Sequence, residues 1–434
     1  MQSEISIPER WAPRFFTIWG GQAISLLGSS LVQFALVWYL TKQTGSATVL
    51  ATATLVAMLP QVVLGPFAGV LVDRWNRRMI MIVADAGIAL ITFGLAVLFA
   101  LGKVQIWEIY LAMMIRSLGG AFHYPAMTSS TTLMVPKEHL ARIAGMNQTL
   151  QGVMSIVAPP LGALLISVMP TQAVLMIDVV TAIIGITPLM FFNIPQPVRK
   201  DIGENQSKPT SSFWSDAREG LHFIVTWPGL MLVGGMATII NFLLTPAGSL
   251  MPLLVTKHFG LGALAFGLTD TFWGVGMISG GLILGAWGGF RKKIKTVLMG
   301  LAGIGLGCLL IGFAPSGMFG LALAGMLTAG VMVVLVNGPL NALLQAVVPP
   351  EIQGRVMSLV TSVAIALTPL SLIIAGPVSD KVGIQSWYIL AGISSFLMAI
   401  AGFFVPAIIN IENNHRNAEG QEAPEALVLP ASAD

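Results

Sequence analysis

The chain has 434 residues, 55% hydrophobic and only 9% charged, with a net charge of +3 and a mean hydropathy of +0.83. Soluble domains carry about 25% charged residues, so this composition excludes solvated globules and requires apolar surface that faces lipid. One cysteine and five histidines exclude an internal disulfide and argue against a Cys/His metal site; no metal, cofactor or nucleic-acid partner is expected.

An apolar run of about twenty residues crosses hydrocarbon as a helix, because its backbone polar groups must be satisfied internally. In chain order, spans are predicted at 15–40, 48–72, 79–101, 104–126, 142–168 and 172–194. A second set falls at 223–255, 262–289, 295–314, 317–346, 355–378 and 385–410. The first run is too long for a signal h-region and is expected to remain as a helix. The polar stretch Pro195–Gly220 separates the two sets. The expected division is an N-terminal six-helix bundle at 1–194, a cytoplasmic linker at 195–221, a second six-helix bundle at 222–410 and a disordered tail at 411–434. At the linker's end Trp214, Ala217, Leu221 and Ile224 share a face, as in a short interfacial helix. Of the 22 Lys and Arg, only Lys42, Lys103, Lys257 and Lys381 fall in loops of one side, and only Arg116 falls inside a span. All the others gather on the side of the termini, which places both termini in the cytoplasm. The expected protein is a monomer that crosses the cytoplasmic membrane many times, among membrane lipids.

The two sets repeat each other. Val135, Pro136, Glu138 and Arg142 recur as Val348, Pro349, Glu351 and Arg355, each displaced by 213. Gly65 and Gly69 recur as Gly281 and Gly285, displaced by 216. The fold class read from this duplication is an all-α membrane protein, with twelve transmembrane helices in two pseudo-symmetric bundles around a central cavity. Such repeats place a transported substrate at their interface near mid-membrane. No Walker A motif and no Ser-His or metal-ligand spacing is found, which disfavours an intrinsic ATPase and speaks against an enzyme.

The loop Gly69-Val-Leu-Val-Asp73-Arg74-Trp-Asn-Arg77-Arg78, between the second and third spans, resembles the signature of the major facilitator superfamily. The segments Gly21–Gly28, Thr44–Ala47, Arg116–Pro125, Val135-Pro136 and Leu175–Asp178 resemble the macrolide-efflux branch of its drug:proton antiporters. The resemblance implies export of a lipophilic drug or metabolite in exchange for protons, by alternating access. A proton-coupled importer or a lipid or siderophore translocator of the same fold is the alternative. It also implies a conformational latch at the cytoplasmic side, formed by Gly69, Asp73, Arg74, Arg77 and Arg78 with Arg142 and the start of the eleventh span near Arg355. Asp73 lies at the C-terminal end of its helix, where the helix dipole disfavours a carboxylate and calls for an outside partner.

Arg116 falls about ten residues, or roughly 15 Å, into the fourth span. An Arg at that depth costs several kcal/mol unless it meets water or an acid. In the resembling family this position is tied to proton coupling; a structural ion pair is the competing assignment. Asp85 and Asp178 are the acids deep enough to serve, either as proton carriers or as interhelical hydrogen-bonding groups. Glu108 and Asp270 fall near the far ends of their spans, where snorkelling into water accounts for them. Polar stripes mark candidate substrate contacts: Gln22, Ser25, Ser29 and Gln33 with Phe34 on the first span, Asn241 on the seventh, Trp273 on the eighth, and Asn337 and Asn341 on the tenth. A further stripe, Gln148, Gln151, Ser155 and Pro159, runs along the fifth. The resemblance makes spans 1, 4, 7 and 10 the cavity walls. Uncharged amides beside aromatic rings suit a bulky amphipathic ligand, although the same groups also glue helices together. Pro125, Pro159, Pro160, Pro246, Pro339, Pro369 and Pro377 supply kinks.

Overall fold

The computed structural model describes residues 11–196, 225–348 and 353–412, with every side chain except those at positions 66, 69, 70, 73, 354, 355 and 358. Linker residues 197–224, tail residues 413–434 and the repeat residues 349–352 lie outside the described residues. The helices are α1 (Trp11–Thr44), α2 (Ala47–Arg74), α3 (Arg77–Ala100), α4 (Ile106–Met134), α5 (Leu140–Val168) and α6 (Thr171–Phe191). They are followed by α7 (Pro228–Ser249), α8 (Ala263–Trp287), α9 (Lys293–Gly312), α10 (Phe319–Val347), α11 (Gln353–Ile365), α12 (Thr368–Val382) and α13 (Gln385–Phe404). Together they make twelve spans, because α11 and α12 are two pieces of the eleventh.

That break falls beside Pro369, one of the prolines expected to kink their spans, within the span predicted at 355–378. Pro369 in the first turn of α12 has no N–H to donate and crowds the residue before it, so the helix stops at Ile365 and restarts at Thr368. Short polar side chains set other ends. Ser46 caps α2 by accepting the Val49 N–H, and Asn76 caps α3 by accepting that of Met79. Among the described residues, ten stretches are long and apolar enough to cross a membrane. The two long helices outside that set, α4 and α8, carry Arg116 and Asp270.

Packing follows the duplication. In the first set α1 packs on α6, α2 and α3 on α4, and α3 on α6. Six spans later the same pairs recur as α7 on α13, α8 and α9 on α10, and α9 on α13. The sets meet along two seams, α5 against α8 and α2 against α12, which are themselves related by the same shift of six spans.

The apolar cores differ between the two ends of these seams. At the end bearing the termini, Phe15, Ile18, Met81, Ile143 and Leu189 form a core within the first set, and Leu230, Ile294, Leu298, Leu344 and Ile408 form another within the second. At the far end one core is shared, containing Trp38, Leu40 and Leu50 from the first set with Leu254, Phe266, Ala375 and Tyr388 from the second. Asp380, near the end of α12, closes the far end further. Its carboxylate accepts the backbone N–H groups of Ala47 and Thr48, at 3.0 and 3.3 Å, and the Thr48 hydroxyl at 2.9 Å. It thereby caps the positive end of α2 from the opposite half.

Candidate functional site

Close helix approach builds the interior of the first half. A Cβ on Gly28 would overlap the Thr181 hydroxyl and stand 3.1 Å from the Cα of Asp178; one on Gly21 would stand 3.2 Å from the Ile184 carbonyl. These glycines let α1 lie against α6, and they bring the polar residues of α1 onto acids of the bundle rather than into open space. Two layers result.

In the layer nearer the far end, the Arg116 guanidinium of α4 pairs with the fully buried Asp178 of α6. Thr92 of α3 accepts from Arg116 and donates to Asp178 at 3.2 Å. Ser29 of α1 donates to the other carboxylate oxygen at 3.0 Å, while its backbone carbonyl accepts from Arg116 at 3.2 Å. Every strong partner of this carboxylate is thus a donor, as a buried charge requires.

The second layer lies seven residues away on each of the four helices, about 10 Å along the bundle. Here Gln22 donates to Asp85 and to the Gly185 carbonyl, both at 3.1 Å. His123 places Nε2 3.3 Å from the other Asp85 oxygen, an ion-pair distance when the imidazole carries its second proton. Gln22 to Ser29, Asp85 to Thr92, Arg116 to His123 and Asp178 to Gly185 are each one step of seven, two helical turns on one face. That common spacing was the available signal for His123 and Thr92, which the sequence analysis did not single out.

A cavity of about 280 Å³ opens beside these layers, on the α5–α8 seam. It is lined by Ser30, Gln33, Phe34 and Val37 of α1, Gln151, Met154, Ser155, Ala158 and Pro159 of α5, and Phe266 and Asp270 of α8. Gly162 leaves room for the Phe34 ring, which stacks on Phe266 with centroids 4.9 Å apart. Pro160 cannot bond the Ile156 carbonyl, and Thr271 of α8 reaches across the seam to it at 3.3 Å. Asp270 is therefore not a snorkelling end-group, as its sequence position suggested. It sits seven residues into α8 on the face that meets α5, and depth along a helix does not reveal that face.

The predicted substrate contacts separate accordingly. Gln33 and Phe34 line the cavity, together with three members of the fifth-span stripe, Gln151, Ser155 and Pro159. Gln22, Ser25 and Ser29 point into the first bundle instead, with Ser25 buried against Gly185. Asn241 donates to the carbonyl of Ala237 on its own helix at 2.9 Å, Trp273 is half-buried on α8, and Asn337 and Asn341 are exposed on α10. None of these four lines the cavity, whose walls come from α1, α5 and α8.

Two arginines of the predicted latch have partners among the described residues. Arg77 donates to the Ser129 carbonyl of α4 at 3.2 Å, and Arg78 binds the Leu189 and Met190 carbonyls and Asn193 at the end of α6. Cations on the last carbonyls of a helix satisfy orphan acceptors and suit its dipole. Both arginines thus brace the first bundle from within. Arg74 and Arg142 are exposed at the same end, and the side chains of Gly69, Asp73 and Arg355 lie outside the described residues.

Comparison with known proteins fits this architecture. The family model of the Major Facilitator Superfamily matches residues 18–369. Macrolide efflux protein A of Streptococcus pyogenes is 34% identical over 390 residues, covering 90% of this chain and 95% of that protein. The protein of the same name from Enterococcus faecalis is 33% identical over 328 residues, covering 76% and 100%. Among solved structures, a D-xylose-proton symporter superposes with a TM-score of 0.64 at 14% identity, covering 90% of this chain and 98% of that one. The chain belongs to the major facilitator superfamily, in the branch that contains the macrolide-efflux proteins.

Proposed function

We propose that this transporter exports lipophilic, macrolide-like compounds across the cytoplasmic membrane by exchanging them for protons. The observation that carries the reading is the double duty of α1. One face of it holds Ser29 and Gln22 against the buried acids Asp178 and Asp85, and the adjoining face supplies Ser30, Gln33 and Phe34 to the cavity. Any shift of α1 that accommodates a ligand moves donors off those carboxylates, and protonating a carboxylate releases α1 in return. Asp85 and Asp178 are the proposed proton holders, with Arg116 and His123 as the cations that compete with the proton.

The halves at 1–194 and 222–410 act as the rocking units of alternating access, hinged on the α2–α12 and α5–α8 seams. The distribution of Lys and Arg supports cytoplasmic termini. With that orientation, two separate cores at the terminal end and one shared core at the far end describe a state open to the cytoplasm. The cargo assignment is supported by the identity with the macrolide-efflux proteins over most of the chain.

The test is accumulation of a fluorescent lipophile and of a macrolide in cells lacking their own pumps. Expression is expected to lower accumulation, and collapse of the proton gradient to erase the difference. A difference that survives collapse would remove proton coupling, and raised uptake would reverse the direction to import.

A further inference from the structure

A polar pocket of about 430 Å³ opens at the far end and shares no residue with the seam cavity. That end is poor in cations: of the 22 Lys and Arg, the sequence places only Lys42, Lys103, Lys257 and Lys381 on it. Two of those four, Lys257 and Lys381, line this one pocket from separate elements. Lys257 lies in the turn Leu254–His258 beyond α7, and Lys381 in the last turn of α12. Both are exposed, and neither ammonium has an ion-pair or hydrogen-bond partner among the described residues. Asp380 shares the wall, but its oxygens are already engaged by donors from Ala47 and Thr48. The pocket therefore holds positive charge that the protein leaves unanswered.

Two further features point to an anion. The helix α13 begins at the pocket with Ile384 and Gln385, and no side chain caps its first turn. Unsatisfied N–H groups and the positive dipole end of a helix favour phosphate-like groups. The independent sign is Ser379 on the same wall: it is only 5% exposed, and its hydroxyl has no partner among the described residues. A buried hydroxyl without a partner is costly, and an oxyanion would give it an acceptor. His258 fastens the walls together. Its Nε2 lies 2.8 Å from the Ala314 carbonyl, to which it donates, so Nδ1 accepts from the Gln385 amide at 3.2 Å. The turn that carries Lys257 is thus tied to the first residue of α13.

We propose that this pocket binds a phosphate ester, its oxyanion held by Lys257, Lys381, the Ser379 hydroxyl and the first N–H groups of α13. The volume falls within the range of ligand pockets, about 300–1,000 Å³, and leaves room for an alcohol portion beside the phosphate. A glycerol phosphate has this chemistry, free in solution or as the headgroup of an anionic lipid, and the pocket lies at helix ends within reach of both. A zwitterionic headgroup would bring its own ammonium against the two lysines. The Lys257 side chain also crosses between the halves: its Nζ would stand 3.8 Å from a Cβ on Gly45, in the turn between α1 and α2. A phosphate bound here favours the closed far end, because it holds that lysine in the state where the halves meet. The site depends on neither the cargo nor the direction of transport.

The test offers the purified full chain a phosphate ester from two sources. For the lipid source, the chain is placed in vesicles of equal phosphatidylglycerol and phosphatidylcholine, and retained lipid is read by native mass spectrometry. Wild type is expected to retain phosphatidylglycerol over phosphatidylcholine by at least about tenfold. For the soluble source, glycerol 3-phosphate is titrated into the chain in pure phosphatidylcholine nanodiscs and read as a rise in thermal midpoint. Lipid retention without a response to glycerol 3-phosphate assigns the site to a headgroup, and the reverse assigns it to a free ester. Whichever response occurs should disappear when Lys257→Gln and Lys381→Gln are combined, and weaken about fivefold in Ser379→Ala, which loses one hydrogen bond. Combining Lys42→Gln with Lys103→Gln removes the other lysines of that end and should change nothing. Failure of both responses in wild type, or equal losses in the two lysine pairs, would overturn the proposal.

Discussion

Replacing Arg116 by Leu separates what the buried pair does for folding from what it does for transport. The substitution leaves Asp178, whose side chain is fully buried, with only the Ser29 and Thr92 hydroxyls as donors. Breaking one side of a buried pair costs about 3–5 kcal/mol, because the surviving charge is left unpaired. Replacing both members by apolar residues of similar volume is often close to neutral. Arg116→Leu alone should therefore lower stability by about 3–5 kcal/mol, read as a displaced midpoint in denaturant titration of the purified protein. The double variant with Asp178→Leu should recover most of that loss and still fail to transport. Two results would refute the reasoning. A single variant of wild-type stability would mean that the pair is not formed, and a double variant with normal efflux would reduce it to structural glue.

Two further outcomes follow from helix contacts. Gly28→Ala drives a methyl into Thr181 and toward the Cα of Asp178, and overpacking of this kind costs about 1–3 kcal/mol. Gly65→Ala meets nothing within 4 Å and should leave folding unchanged, so thermal stability of the pair of variants checks the α1–α6 approach directly. Asp380→Ala removes a cap on α2 supplied by the other half, a loss of about 1 kcal/mol. It should shift the conformational balance toward opening at the far end by roughly fivefold, seen as faster labelling by a membrane-impermeant maleimide of a cysteine placed at Thr52. Unchanged labelling would show that the apolar core alone holds that end shut.

Sequence patterns reached the spans and the stranded charge more readily than the site. Arg116 stood out because an Arg at that depth requires a partner, but choosing Asp178 over Asp85 needed the rotation of α3 and α6, which hydropathy does not carry. The steps of seven would have sorted the acids into layers had each helix been aligned with its neighbours, since directions alternate along the bundle. The resemblance gives the cavity walls to spans 1, 4, 7 and 10 and so passes over the fifth-span stripe, of which Gln151, Ser155 and Pro159 line the cavity. The first-span stripe used the same spacing for a different end, because Gly21 and Gly28 turn that face toward α6. Asp270 was misjudged from depth alone, and Asp380 went unnoticed because its partners are backbone N–H groups three hundred residues away in sequence.

The stacked rings of Phe34 and Phe266 belong at once to the cavity wall and to the core that seals the far end. One ring comes from each half, so the halves cannot part there while the two faces remain in contact. A guest that slides between the rings, or takes one of them as its own neighbour, replaces a contact worth about 0.5–1.5 kcal/mol with contacts to itself. Under the proposed export cycle the cargo then acts as the key of an interlock: an empty carrier keeps its exit bolted, and a loaded one has already begun to draw the bolt.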